Sequence, residues 1–272
     1  MEEKKSTDLL GIAPYGEALN TAVKKSFDGV EAFLKSVCMP ALDEVGLMLK
    51  DQVRYWRLCN ILRIIEKVKG KMEFTGDQLQ IKAHPRVALA IIENGSLNDD
   101  DEVQELWAGL FAASCNSSGQ HDENLIFVDL LKQLTNNEAK ILKYTCERTR
   151  KIIHKTGLVN AEHYSCNSEE LFVLTDNKDL HSIDRQLDHL RSLELIVGGF
   201  DSQDQNLIAD ITPTDLALNL FVRCQGSSVP TSVFWKDSVL TMEQIAKENA
   251  DKAKAETERL RKETITIQKD GK

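Results

Sequence analysis

Apolar residues along this 272-residue chain recur mostly at three- and four-residue steps, the spacing that lines one face of an α-helix. From Glu17, such a stripe runs through Leu19, Val23, Phe27, Val30 and Leu34, until Pro40 removes a backbone donor and ends it. A longer helix is predicted over residues 41–69, closed by Gly70, with Tyr55, Leu58, Leu62, Ile65 and Val68 along its apolar face. His84-Pro85 places proline in a first helical turn, residues 87–93 form the body, and Asn94-Gly95 stop it. The acidic run 99–102 then precedes Val103, Leu106, Trp107, Leu110 and Phe111 at helical spacing. Residues 116–122 read as a loop, and Phe127, Leu130, Leu131 and Leu134 as another helix. Thr135-Asn136-Asn137-Glu138 has the form of a capping box opening a helix that carries Leu142, Cys146, Thr149 and Ile153.

Past Gly157 the pattern changes. Ser182 opens a helix with Ile183, Leu187, Leu190 and Leu193 inward, and Leu195-Ile196-Val197 reads as a strand. Gly198-Gly199 begin a turn, 207–211 is a returning strand, and Thr212-Pro213 cap and start a helix with Leu216, Leu220, Phe221 and Cys224 inward. Helix, helix, two-stranded wing and helix is the layout of a winged-helix module. Residues 225–232 are a small-residue linker, and 241–262 a charged helix with Glu243–Lys247, Glu248–Lys252 and Glu258–Lys262 in the favourable order. Its seam of Ala246, Ala250, Ala253, Thr257 and Leu260 is thin for a coiled coil. The expected architecture is therefore mainly α: a polar lead-in over 1–15, a helical domain over 16–135, a winged-helix-like module with a short β-wing over 136–226, and a linker with a charged helical tail over 227–272.

Composition supports helices over a many-stranded fold, since 14 Gly and 5 Pro leave few turns. The net charge of -9 disfavours non-specific nucleic-acid binding, because an acidic molecule repels phosphate. Met1-Glu2-Glu3-Lys4-Lys5 lacks the layout of a signal peptide, and the longest apolar run, 87–92, is far short of a bilayer span. The six dispersed cysteines read as reduced thiols packed as small hydrophobes. A cytoplasmic protein is expected, with peripheral attachment at the inner membrane surface left open.

No catalytic residue, metal site or cofactor is expected. His163-x-x-Cys166 and the Cys115–His121 pair lack the second ligand pair of a zinc site, and neither a G-x-S-x-G elbow nor a phosphate-binding G-x-x-x-x-G-K loop occurs. The acidic run 99–102 lacks the spacing of a calcium loop and is explained by a helix start. Two groups of residues are candidates for binding. Arg54, Arg57, Arg63 and Lys67, beside Tyr55 and Trp56, make the second helix basic and amphipathic, suited to a partner protein or an anionic lipid surface. Arg185 and Arg191 lie on the helix that would enter a DNA groove, but Asp184, Asp188 and Glu194 outnumber them, so nucleic acid is the less favoured partner.

The stretch 84–144 resembles the bacterial abortive-infection alpha family. The matching pieces are Pro85 with Ala90-Ile91-Ile92-Glu93, the run 101–110 (Asp-Glu-Val-Gln-Glu-Leu-Trp-Ala-Gly-Leu), His121, Phe127-Val128, Leu131-Lys132-Gln133-Leu134 and Glu138-Ala139-Lys140-Ile141-Leu142. Residues 183–196 and Ile211-Thr212-Pro213 are similar to the family's closing helix, strand and helix. The resemblance implies a role in defence against bacteriophage, often beside partner genes, and supplies no catalytic residues. It leads to the expectation of a non-enzymatic anti-phage component, a sensor or adaptor with a protein partner encoded nearby; self-association stays open. A winged-helix DNA-binding regulator is the alternative.

Overall fold

The computed structural model describes residues 54–72, 82–116, 119–201, 203–236 and 240–241. The expected lead-in, the helix from Glu17, the stretch 41–53 and the tail 242–262 lie outside the described residues.

The chain is mostly helical, and its packing is organised around one central helix. Helix α1 (Arg54–Lys71), α2 (Pro85–Gly95) and α3 (Asp101–Ser114) follow one another. Helix α4 (Leu125–Leu131) and α5 (Asn136–Arg148) come next. From Val103 to Ser114 all but Glu105 are buried, and Trp107, Leu110 and Phe111 are fully so. A helix that is apolar on every side belongs in a core. Each large side chain buried there contributes about 1.5–3 kcal/mol relative to exposure.

Small residues on α3 set how closely its neighbours approach. Helix α8 (Asp215–Cys224) crosses it at Gly109. A Cβ at that glycine would lie 1.6 Å from the Cys224 carbonyl oxygen, so only glycine fits. The buried cluster runs unbroken from Leu58 on α1 to Cys224 on α8, across residue 136 where the sequence places a boundary.

Local signals fix most helix starts. Pro85 is in the first turn of α2, and the Asp100 carboxylate caps α3 by accepting from the Glu102 and Val103 amides. Thr135 and Glu138 form the expected capping box on α5. Several boundaries differ from expectation. α1 runs through Gly70 to Lys71. α5 stops at Arg148, and Ile153 lies instead in strand β3 (Lys151–Ile153), paired antiparallel with β4 (Val159–Ala161). The β-branched Thr149, Ile152 and Ile153 favour extended backbone. Gly157, at φ 86°, closes the hairpin while its amide bonds the His154 carbonyl.

Beyond the hairpin the fold is built from short strands and helices. Strand β5 (Ser165–Asn167) leads into α6 (Ser168–Thr175), opened by a second capping box between Asn167 and Glu170. Helix α7 (Leu180–Ser192) starts two residues before Ser182, because the Asp179 carboxylate captures the His181 amide. Ile183, Leu187 and Leu190 point inward as the periodicity requires. The returning strand β6 (Ile208–Asp210) pairs antiparallel with β5, and single bridges join Ile196 to Pro213 and Phe200 to Ala209. α8 is capped by Thr214, not Thr212. The Thr212 hydroxyl instead lies 2.5 Å from an Asp210 carboxylate oxygen and accepts from the Tyr164 amide.

Three further pairings complete the molecule. Strand β1 (Lys82–Ala83) pairs with β2 (Cys115–Asn116), so the expected loop begins in a strand. The linker at 225–232 runs into a helical turn, α9 (Thr231–Phe234). The following Trp235 ring stacks on Phe221 and takes the Lys151 ammonium 4.3 Å from its centroid. Strand β7 (Leu240–Thr241) then lies parallel to β3, so Thr241 ends a strand where a helix is expected to begin.

Candidate functional site

Part of the basic charge of α1 is turned inward. Arg57 is buried and its Nε donates to the Ser96 hydroxyl at 3.0 Å, while Asn60 Nδ2 donates to the Ser96 carbonyl. The Gln104 amide on α3 donates to the Asn98 carbonyl at 2.9 Å and reaches Asn60 Oδ1 at 3.4 Å. These groups are buried together, so each needs the others to replace lost water. Lys67 bridges Asp101 at 2.8 Å and Glu105 at 2.6 Å, and Lys71 reaches Glu105 at 3.0 Å.

Burial alone would lower the Lys67 pKa. Hydrogen bonds to the two carboxylates more than offset it, raising the pKa above the ordinary lysine value. The Lys67 contact holds Asp101 below its usual range; for Glu105, burial opposes the shift, but the bonds from Lys67 and Lys71 prevail. Of the other residues singled out on this helix, Trp56 is 36% exposed and donates to Asp99 at 3.4 Å, and Arg63 is exposed. Arg54 and Tyr55 lie in its first turn.

The surface of the later segment is different. Between Ser168 and Asp210 the chain carries ten carboxylates against three cations, Lys178, Arg185 and Arg191. Arg185 and Arg191 are exposed on α7, and Arg191 is paired with Asp188 at 2.6 Å. Also on α7, His189 Nδ1 lies 2.8 Å from the buried Glu138 carboxylate, tying this helix to the capping box of α5.

A cavity of about 610 Å³ opens between the end of α7, the start of α8 and β4. Arg191, Glu194, Asn160 and Asp215 give it its polar groups, and Ile196, Val197, Pro213 and Leu216 its apolar ones. Asn160 donates to Asp215 at 2.6 Å and the Thr214 hydroxyl to the Glu194 carbonyl at 2.5 Å. Its size suits a small ligand. Its lining contains no histidine, cysteine or lysine, and the Thr212 and Thr214 hydroxyls face it together with the Glu194 and Asp215 carboxylates.

Beside this cavity, Thr212, His163 and Asp210 come together as a hydroxyl, an imidazole and a carboxylate. Both the Thr212 hydroxyl, at 3.3 Å, and the Asp210 carboxylate, at 3.6 Å, meet the same ring nitrogen, Nδ1. A nucleophile triad needs the two on opposite nitrogens. The cluster therefore acts as a brace between residues 163–164 and 210–212.

The thiols fit a packing role. Burial pushes Cys115, Cys166 and Cys224 up to about 12 and raises Cys146 as well. At neutral pH they stay protonated and unreactive. Among the described residues no three His, Cys, Asp or Glu side chains converge as a metal site would need, and no helix is long and apolar enough to cross a membrane.

The acidic partners of α1 escaped the sequence reading, which assigned the run 99–102 to a helix start alone. The signal was present as two i, i+4 pairs, Lys67 with Lys71 and Asp101 with Glu105, each of which places like charges on one helix face. No curated protein and no solved structure matches the chain significantly. The family model described as abortive infection alpha matches residues 58–212, from the buried face of α1 through the brace at Thr212. That match covers more than half of the sequence, and the chain belongs to the abortive infection alpha family.

Proposed function

We propose that this chain is a non-enzymatic component of bacterial anti-phage defence, working as a sensor or adaptor through protein contacts. The family match over residues 58–212 is the observation that carries the reading. One feature of the described residues supports its non-enzymatic side: the hydroxyl–histidine–carboxylate cluster of Thr212, His163 and Asp210 has the wrong connectivity for a nucleophile triad. In this reading residues 136–226 are a winged-helix-like module used for protein contact, with α5, α7 and α8 as its helices and β6, bridged to Phe200, as its short wing. The acidic balance from Ser168 to Asp210 favours protein over nucleic acid, since groove binding draws much of its affinity from phosphate neutralisation.

Contact with an anionic membrane through α1 is less favoured, because Arg57 is buried and Lys67 is held by two carboxylates. The test is efficiency of plating in a susceptible host carrying the gene with its genomic neighbours. Deleting this gene alone should restore plaque formation. Unchanged plating across a broad phage panel would remove the defence reading.

A further inference from the structure

We propose that the groove between α5 and α6 docks an amphipathic helical segment of another protein, one bearing an aliphatic or aromatic anchor flanked by lysine or arginine. The groove has a volume of about 470 Å³ and is walled by Tyr144 and Arg148 on α5 and by Glu169, Glu170, Val173 and Leu174 on α6. Helix α6 has four consecutive apolar residues, 171–174, so it has an apolar outer side as well as an inner one. Leu171 is fully buried in the core, whereas Val173 is 84% exposed.

A single exposed valine is ordinary. This one lies in a recess beside an aromatic ring that is already fixed. The Arg148 guanidinium sits 4.8 Å from the Tyr144 centroid, and the Tyr164 ring packs at 6.3 Å. A pre-formed apolar recess between two helices is the shape that receives a helix carrying one or two anchors.

Charge selects the occupant. Arg148, stacked on the tyrosine ring, keeps its positive charge, and the carboxylates of Glu169 and Glu170 outnumber it; Glu170 also accepts from the Asn167 amide at 3.2 Å. Glu169 is exposed and has no ion-pair partner among the described residues. The rim thus presents carboxylate to an incoming segment. A second copy joined symmetrically through this groove would bring two acidic 168–210 stretches face to face, and that repulsion disfavours it. A basic partner instead gains both attraction and a faster encounter.

The proposal gives the adaptor reading a partner chemistry and rests on that reading only for its biological role. Its test measures binding alone, so plating results and binding results can fail separately. The full chain is titrated into a fluorescein-labelled Leu/Lys amphipathic peptide, about 18 residues or five helical turns long, and into its Leu/Glu counterpart. Saturable anisotropy is expected with the Leu/Lys peptide alone. Val173→Asn and, separately, Glu169→Gln should each weaken binding, the former roughly tenfold, while Asp201→Asn on the neighbouring turn leaves it unchanged. Equal binding of both peptides, or equal binding by wild type and both groove variants, overturns the proposal. A Val173-dependent dimer without peptide binding overturns it in favour of a second copy.

Discussion

Helix α1 and the segment from α6 to β6 carry opposite charge in the sequence, and the fold treats the two charges in opposite ways. On α1, Arg57, Lys67 and Lys71 turn toward Ser96, Asp101 and Glu105, so the basic helix becomes one side of an internal seam. From α6 to β6, ten carboxylates meet three cations, and most of that charge stays at the surface. Charge along a helix therefore predicts a binding surface only after its internal partners are subtracted. What remains after that subtraction in the later segment is acidic, whereas on α1 Arg63 stays exposed.

The largest effect is expected in the core beneath both regions, at the crossing of α3 and α8. Gly109→Ala places a methyl group into a backbone carbonyl that has no room to shift. Loss of about 3 kcal/mol or more, or failure to fold, is expected in thermal denaturation. A variant as stable as wild type would show that the crossing is looser than described.

Next is the buried seam itself. Asn60→Ala removes the donor to the Ser96 carbonyl and one of the two acceptors of the Gln104 amide, and about 1–3 kcal/mol should be lost. Arg63→Ala, on the exposed side of the same helix, should cost less than about 0.5 kcal/mol. Equal costs would erase the distinction between the inner and outer faces of α1.

The ionic clamp should have a smaller effect than the buried seam, because Asp101 is well exposed. Lys67→Met is expected to cost about 1 kcal/mol or less near neutrality. Its pH dependence follows from the shifts. Asp101 and Glu105 are lowered, so their contribution is complete above their unfolded values and is lost as pH falls through the lowered folded ones. Lys67 is raised, so its contribution holds below the ordinary lysine value and is lost only as pH climbs through the raised one. The gap between wild type and variant should be flat from about pH 5 to 10 and close at lower pH. A gap that changes between pH 6 and 8 would assign the clamp to some other titrating group.

Much of the first region was legible in sequence because local chemistry decides it. Pro85, Asp100 and the Thr135–Glu138 box start their helices through contacts within a few residues. The misplaced boundaries have non-local causes. Thr212 could have capped a helix, but Asp210 and Tyr164 claim its hydroxyl from the adjoining strands. Ile153 continues the helical spacing of α5, yet Val159 across a glycine turn draws it into a sheet. The linker at 225–232 shows nothing locally that predicts Trp235 packing on Phe221 and Lys151, residues from two other elements. The apolar groove was hidden for the same reason: Val173 reads as one more core residue until Leu171 is seen to occupy the inward side.

The central claim is that the acidic later segment, and not the basic helix, is the surface through which the protein works. Plating efficiency with the Glu169→Lys, Asp188→Lys, Glu194→Lys combination, set beside Arg63→Ala at matched folded protein levels, tests it most directly. The account predicts that the triple reversal abolishes protection while Arg63→Ala retains it. Full protection by the triple reversal, with protection lost in Arg63→Ala, would contradict it.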